Sequence, residues 1–460
     1  KASKGIITNA HGDTFGYGDV VKEAALLEVP ENVKLKEIKD FTIIGQEIVN
    51  VDIDKIITGK PLFGLDYKAT DMLYAAVLRP PAFGQMLESF NAEEAKKVNG
   101  VIDVITIGEK ARKYAASGKK NWTFPISETD KVVVIAENTW AAIKGKKALA
   151  AKWKTDSKLE STDDHHKALI AILDGKKFNT RREDGNIEEA FANADKVIEK
   201  TYHSPFLPHN CLEPMNFYAD VTSERIHLAG PVQTPEYAAN VVADLLDFDV
   251  KKITLEMTRM GGGFGRRLYG DFVYEAAEIS NAIQKPIKLI STREDDMTMG
   301  VYRPSIKYRI KAAIKDGKVT GYYLREASMN GNMYGLISNF FPAGCIPNFK
   351  VDTASYNSNI TTGAWRAPYT NFLAFAEQSF FDELASELNV DTIQLRLDLL
   401  QNVKNTTDKK IEYSGQRMED TIKLVRDKAN WGNTEKGVFQ GFSAYYSHNT
   451  HVAEIADIVI

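Results

Sequence analysis

The sequence predicts a mixed α+β protein in which helices and sheets form α/β layers. Three observations lead there. The chain has 460 residues, enough for two to four domains at about 100–200 residues each. Beyond residue 199, β-rich runs alternate with segments of helical period, which favours mixed layers. The chain is 43% hydrophobic and 26% charged, the balance of an ordinary globular protein with a sizeable core.

The elements follow in order. Tyr17 to Ala25 reads as a short helix and Phe41 to Ile44 as a strand. Met72 to Leu78, Val101 to Ile107 and Val132 to Ile135 are strands. Asn91 followed by Glu94 is a helix-capping pattern, and Asn138 caps a helix with Trp140, Ile143, Lys147 and Ala151 along one side. The segment 154–198 is charged and turn-rich, and reads as a connecting arm holding one short helix. A helix starts near Pro235 and runs to Leu246; Ile253 to Met257 is a strand. Phe272, Ala276, Ile279 and Ile283 share a helix face, and Pro286 to Ser291 is the next strand. Ser305 to Ile314 and Lys318 to Glu326 flank Asp316-Gly317 as a hairpin. Leu373, Ala376, Phe380 and Leu384 line another helix, and Asp391 caps a helix carrying Ile393, Leu397 and Leu400. Val452 to Ile460 reads as a strand. The expected divisions are therefore 1–60, 61–153, 154–198 and 199–460.

Composition removes several functions. A net charge of -4 gives no basic footprint for nucleic acid. No run of 18 apolar residues is present, so no membrane span is expected. The two cysteines, Cys211 and Cys345, are too few for an iron–sulfur cluster or a four-thiolate zinc site. None of the eight histidines has a defensible nucleophile spacing, and no G-x-S-x-G exists.

Four motifs remain. Gly261-Gly262-Gly263-Phe264-Gly265-Arg266-Arg267 lies between a strand and a helix, where backbone amides bind anions and two arginines add charge for a phosphate. It is neither a P-loop nor the dinucleotide fingerprint, and the competing reading is a tight turn with exposed arginines. His209, Cys211 and Glu213 invite a metal reading, but their alternation suits a packed, hydrogen-bonded loop better. Thr362 to Tyr369 (TGAWRAPY) precedes a helix and places Arg366 where a ligand could meet its N-terminus; a plain β-to-α connection with a salt-bridged arginine is the competing reading. Gln233, between Pro231 and Pro235, is a rigidly placed amide. Glu294, Asp295 and Asp296 read as a solvated turn.

Taken in order, these motifs resemble the molybdenum-binding large subunit of the xanthine dehydrogenase/aldehyde oxidase family, in its isoquinoline 1-oxidoreductase beta-subunit type. FGLDYKATDMLYAAVLRPPAFG, VNGVIDVITI and VVVIAENTWAAIKGKKAL resemble that family's α/β hammerhead domain. SPFLPHNCLEPMNFYAD, GPVQTPEYAA, MGGGFGRR, KLISTREDDM with VYRP, and TGAWRAPYTNFLAFAEQSFFDELA follow in family order. The resemblance covers nearly the whole chain from about residue 15. It implies a segment 1–60 of a larger subunit, a hammerhead domain over 61–153, an arm, and the first part of a molybdopterin-binding domain over 199–460.

The resemblance further implies a molybdenum–pterin cofactor, in the molybdopterin cytosine dinucleotide form of bacterial enzymes. Gln233 matches a glutamine that hydrogen-bonds an oxo ligand of the metal. Gly262, Gly263, Phe264, Gly265 and Arg266 match the cofactor-approaching loop, and Arg366 and Ala367 the segment across the pterin. Trp365, Pro368 and Leu268 fall at substrate-pocket positions. The protein itself supplies no metal ligand, because the dithiolene brings its own. The implied reaction is hydroxylation of an N-heterocycle or aldehyde with water-derived oxygen, electrons leaving to a small [2Fe-2S] subunit. A molybdenum-bound hydroxide would attack the substrate carbon, hydride passing to a sulfido ligand and a glutamate acting as base. That base belongs to a segment beyond Ile460, so this chain alone is expected to bind little cofactor and to be inactive. Leu268 and Pro368 replace purine-pocket residues, which argues against purines. The alternative is a non-catalytic member that keeps the fold as a scaffold or partner-binding module.

Overall fold

The computed structural model describes all residues except 120, 125–128, 156–157, 299, 332–336, 369 and 405. The chain forms two compact units, Lys1–Lys60 and Pro61–Ile460.

The first unit carries a small antiparallel sheet of Ala2–Ser3, Ile6–Thr8 and Thr14–Gly16. A 3-10 turn at Tyr17–Val20 runs into a helical turn at Val21–Ala24, where a helix is expected. The strand expected at Phe41 to Ile44 does not form: these residues are bends and turns, with Ile43 and Ile44 exposed. A run this short needs a neighbouring strand to complete its hydrogen bonds, and no strand of this unit pairs with it.

The second unit is built on two large sheets. A seven-stranded sheet runs in the order Ile253–Met257, Ile226–Gly230, Asn216–Val221, Ile287–Ile290, Leu73–Leu78, Lys131–Ala136 and Val101–Ile107. Its fourth and fifth strands pair in parallel, so strands from either side of residue 199 share one sheet. Helices Pro235–Leu246 and Asp271–Ile283 bury Val241, Val242, Phe272, Ala276 and Ile279 in its core. These helices begin beside the loops that carry Gln233 and the glycines. The sheet therefore fixes where those loops emerge.

A five-stranded sheet runs in the order Lys196–Ser204, Ile306–Lys315, Lys318–Met329, Asn348–Tyr356 and Asn179–Asp184. Its central hairpin turns on Asp316 (φ 49) and Gly317 (φ 70), the left-handed pair that a two-residue turn requires. Helices Thr370–Leu388, Thr392–Gln401 and Gly415–Lys428 pack into its core. The expected face of the first helix, Leu373, Ala376, Phe380 and Leu384, is buried there, and Asp391 caps the second by accepting from Gln394 N. Val438–Ser447 and Thr450–Val459 form a separate antiparallel pair.

Four expectations change. The segment 154–198 holds two helices, Thr162–Asp174 and Ile187–Ala192, and the edge strand Asn179–Asp184, rather than one short helix. Its charges pair in place, as with Arg182 to Asp184 and Asp408, so polarity did not mean irregularity. The helix Thr139–Ala148 is capped by Asn138 as expected, but it buries Ala141, Ala142 and Gly145 and leaves Trp140 67% exposed. It lies too close to the sheet for a large side chain: a Cβ on Gly145 would meet Val101 and Val134 at 2.8 Å. Asn91 does not cap from the N-cap position. Its Oδ1 accepts from Glu93 N, and only the four-residue helix Glu93–Lys96 follows. Finally, Asp295 and Asp296 are not a solvated turn. They sit on the helix Arg293–Thr298, where Asp295 pairs with Lys146 and Asp296 is buried.

Candidate functional site

The glycine loop leaves the edge strand Ile253–Met257 and ends in a 3-10 turn at Arg266–Leu268, just before the helix Asp271–Ile283. Gly262 (φ 102), Phe264 (φ 52) and Gly265 (φ 101) all take left-handed backbone. At Gly265 the need for glycine is also spatial, since a Cβ would lie 2.3 Å from Ala364 O.

Arg266 and Arg267 are buried, not exposed. Arg266 makes a two-pronged pair with Asp271 (2.7 and 2.7 Å). Arg267 turns under the loop, donating from Nε to Gly262 O (2.7 Å) and from Nη2 to Glu213 O (2.8 Å), with Glu213 Oε2 at 3.3 Å. Both guanidiniums are buried inside the fold, where they brace the loop from below. Two adjacent arginines read as exposed charge only while their partners, distant in sequence, are unknown.

Gln233 meets the loop from the side. Its N–H donates to Arg267 O (2.8 Å) and its Oε1 accepts from Gly265 N (3.2 Å). That bond fixes the amide so that Nε2 faces away as a donor, and the side chain is exposed. It also occupies the amide of Gly265. Those of Gly262, Gly263 and Phe264 meet no acceptor among the described residues.

The second loop, residues 362–368, docks against the first. Arg366 N donates to Phe264 O (2.8 Å), and its guanidinium lies 6.0 Å from the Phe264 ring. Arg366 is exposed and forms no ion pair within the described residues, unlike the salt-bridged arginine of the competing reading. Ala367 has φ 54, and its carbonyl accepts from Asn371 Nδ2 (2.9 Å). Trp365 and Pro368 are half-buried, as is Leu268, whose carbonyl accepts from Thr234 Oγ1 (2.8 Å). Tyr369 lies outside the described residues.

The segment around His209 supports both loops. His209 Nε2 donates to Ala364 O (2.6 Å), Cys211 Sγ to Gly263 O (3.5 Å), and Glu213 accepts from Gly261 N (2.7 Å), Leu65 N (3.0 Å) and Asn216 Nδ2 (3.0 Å). Burial holds His209 down at about 4, and so neutral, and pushes the Cys211 thiol up. Each of the three side chains is thus engaged as the packed-loop reading expects. Their positioning role was invisible in the sequence because each partner lies on another loop. Tyr269, likewise unmarked, accepts from Ala364 N through its hydroxyl (2.7 Å).

The residues present fit a bound pterin. Three loop amides, Gln233 Nε2 and the buried Trp365 Nε1, which has no partner, are donors awaiting acceptors. Neutral donors of this kind suit a polar, anionic ring system that carries its own metal ligands.

Residues 172–400 match the family model of the molybdopterin cofactor-binding domain. The chain belongs to the xanthine dehydrogenase/aldehyde oxidase family of molybdopterin-binding large subunits. It is 26% identical to the nicotinate dehydrogenase large molybdopterin subunit of Eubacterium barkeri, over 85% of this chain and 97% of that one. It is 23% identical to isoquinoline 1-oxidoreductase subunit beta of Brevundimonas diminuta, over 93% of this chain and 54% of that one. The fold is that of quinoline 2-oxidoreductase from Pseudomonas putida 86, with a TM-score of 0.68 at 16% identity, covering 87% of this chain and 57% of that one. Most of these curated relatives are longer, and the chain spans little more than half their length or less. Among the described residues, no helix is long and apolar enough to cross a membrane.

Proposed function

We propose that this chain is the cofactor-binding part of a molybdenum hydroxylase that oxidises an N-heterocyclic aromatic or an aldehyde with water-derived oxygen and passes electrons to a [2Fe-2S] subunit. One observation carries the reading: Gln233, the loop Gly262–Gly265 and the segment Trp365–Ala367, far apart in sequence, converge through hydrogen bonds and leave their free donors on the site.

The molybdenum–pterin group, in its cytosine dinucleotide form, supplies the oxygen-transfer and two-electron chemistry when bound. The chain's residues orient it. The amides of Gly262, Gly263 and Phe264 offer neutral donors at a turn that tolerates close approach. Gln233, held through Oε1, presents Nε2 as a pre-oriented donor that needs no reorganisation. Arg366 brings positive charge to the rim, and Leu268, Trp365 and Pro368 give the adjoining surface an apolar character suited to an organic substrate. Cys211 and Cys345 are both buried and hydrogen-bonded, so neither is placed to hold an iron–sulfur cluster within these residues.

The test is purification of the native complex, with molybdenum measured by mass spectrometry, released nucleotide identified, and oxidation of quinoline and of benzaldehyde followed in ¹⁸O-water. Stoichiometric molybdenum, CMP on acid release and ¹⁸O in the product are expected. A complex devoid of molybdenum overturns the reading.

A further inference from the structure

We propose that Trp122 and Tyr237 form an aromatic wall at the mouth of this site and that the wall selects flat aromatic rings over small aliphatic substrates. The inference rests on the reading of the site given above. Both side chains are large and substantially exposed, Trp122 at 48% and Tyr237 at 44%. Their rings meet edge to face, with centroids 5.5 Å apart and planes at 66°. Single exposed aromatics are unremarkable, but a paired, pre-ordered set beside a site offers contact area at low entropic cost.

The wall is tied to the site at both ends. Tyr237 stands in the first turn of the helix Pro235–Leu246, directly after Gln233 and Thr234, and Thr234 is bonded to Leu268 O. Trp122 lies 6.4 Å from the ring of Tyr269, the residue after Leu268, whose hydroxyl holds Ala364 next to Trp365. Trp122 is also held from behind. Thr123 is fully buried and bonded to Asn121 and Tyr274, and its carbonyl accepts from Gly270 N (3.1 Å). Trp122 therefore stands on a pinned turn. The wall is thereby linked to the Leu268 backbone through Thr234 and to the Ala364 backbone through Tyr269.

The experiment compares wild type, W122A, W122F and Y237A in the native complex, using quinoline and acetaldehyde as probes. KM and kcat are measured together with quinoline binding by saturation-transfer NMR. W122A and Y237A are expected to raise KM for quinoline about tenfold with kcat nearly unchanged, to leave acetaldehyde kinetics alone, and to weaken the NMR transfer. W122F is expected to restore most of the loss. Equal losses for both substrates, or unchanged quinoline binding in W122A and Y237A, overturn the wall. If the complex holds no molybdenum, the functional reading fails, while the NMR comparison of wild type with W122A still decides the wall.

Discussion

The loops 261–268 and 362–368 meet at one site but are held in opposite ways. The first is shaped from within and below. Its left-handed residues set the path, and the buried pairs Arg266–Asp271 and Arg267–Glu213 lock it. The second is held almost wholly by its neighbours: His209 binds Ala364 O, Tyr269 binds Ala364 N, and Phe264 O receives Arg366 N. The first loop is a foundation and the second is laid on it. Damage to the first should therefore propagate to the second, and the reverse should not hold.

The largest effect is expected from Gly265→Val. Its Cβ would collide with Ala364 O, a backbone atom that cannot swing aside, at a φ that valine avoids. Both loops should separate, abolishing molybdenum incorporation, as metal analysis of the purified complex checks. Arg267→Met comes next. It leaves Glu213 buried without its cation, and urea denaturation should show a loss of about 3–5 kcal/mol. Arg267→Lys should recover only part, since one ammonium cannot reach both Gly262 O and Glu213 O.

The third prediction probes the second loop's tether. The unfolded chain protonates His209 near 6.5, whereas the folded chain holds it down to about 4, because burial opposes the charge. Protons between these values bind the unfolded state preferentially. The stability this site holds above pH 6.5 should therefore fall by roughly 3 kcal/mol as pH drops to 4. Denaturation series at stepped pH should show this excess slope in wild type and lose it in His209→Gln, whose amide can still donate to Ala364 O. The smallest structural effect belongs to Arg366→Ala. This side chain is exposed, so stability should change by no more than about 0.5 kcal/mol. Cofactor content and turnover should nonetheless drop by at least about tenfold, which separates a rim residue from a brace.

Much of this was legible from residue patterns. The strands at Val101 to Ile107 and Ile253 to Met257, the helix faces of Phe272–Ile283 and Leu373–Leu384, and the hairpin at Asp316-Gly317 each follow from a period or a turn that one stretch of chain dictates. The glycine loop alone left a tight turn open as a competing reading, and only the ordered set of motifs pointed to a shared site. The failures share a cause too. Gly145 set the buried face of its helix through the sheet it touches, and Phe41 to Ile44 stayed irregular for want of a partner strand. Trp122, in KKNWTF, carried no signal at all until Tyr237 and Tyr269 stood beside it.

By itself, then, the amino-acid sequence determined many of the strands and helices of the second unit and the left-handed hairpin turn at Asp316-Gly317, because those choices depend on residues near one another in the chain. It also determined that two cysteines are too few for an iron–sulfur cluster within these 460 residues. Only the tertiary structure decided that Arg266 and Arg267 are braces while Arg366 faces outward. The free energy of a charge depends on whether a carboxylate or water lies next to it, and that neighbour is chosen by the fold.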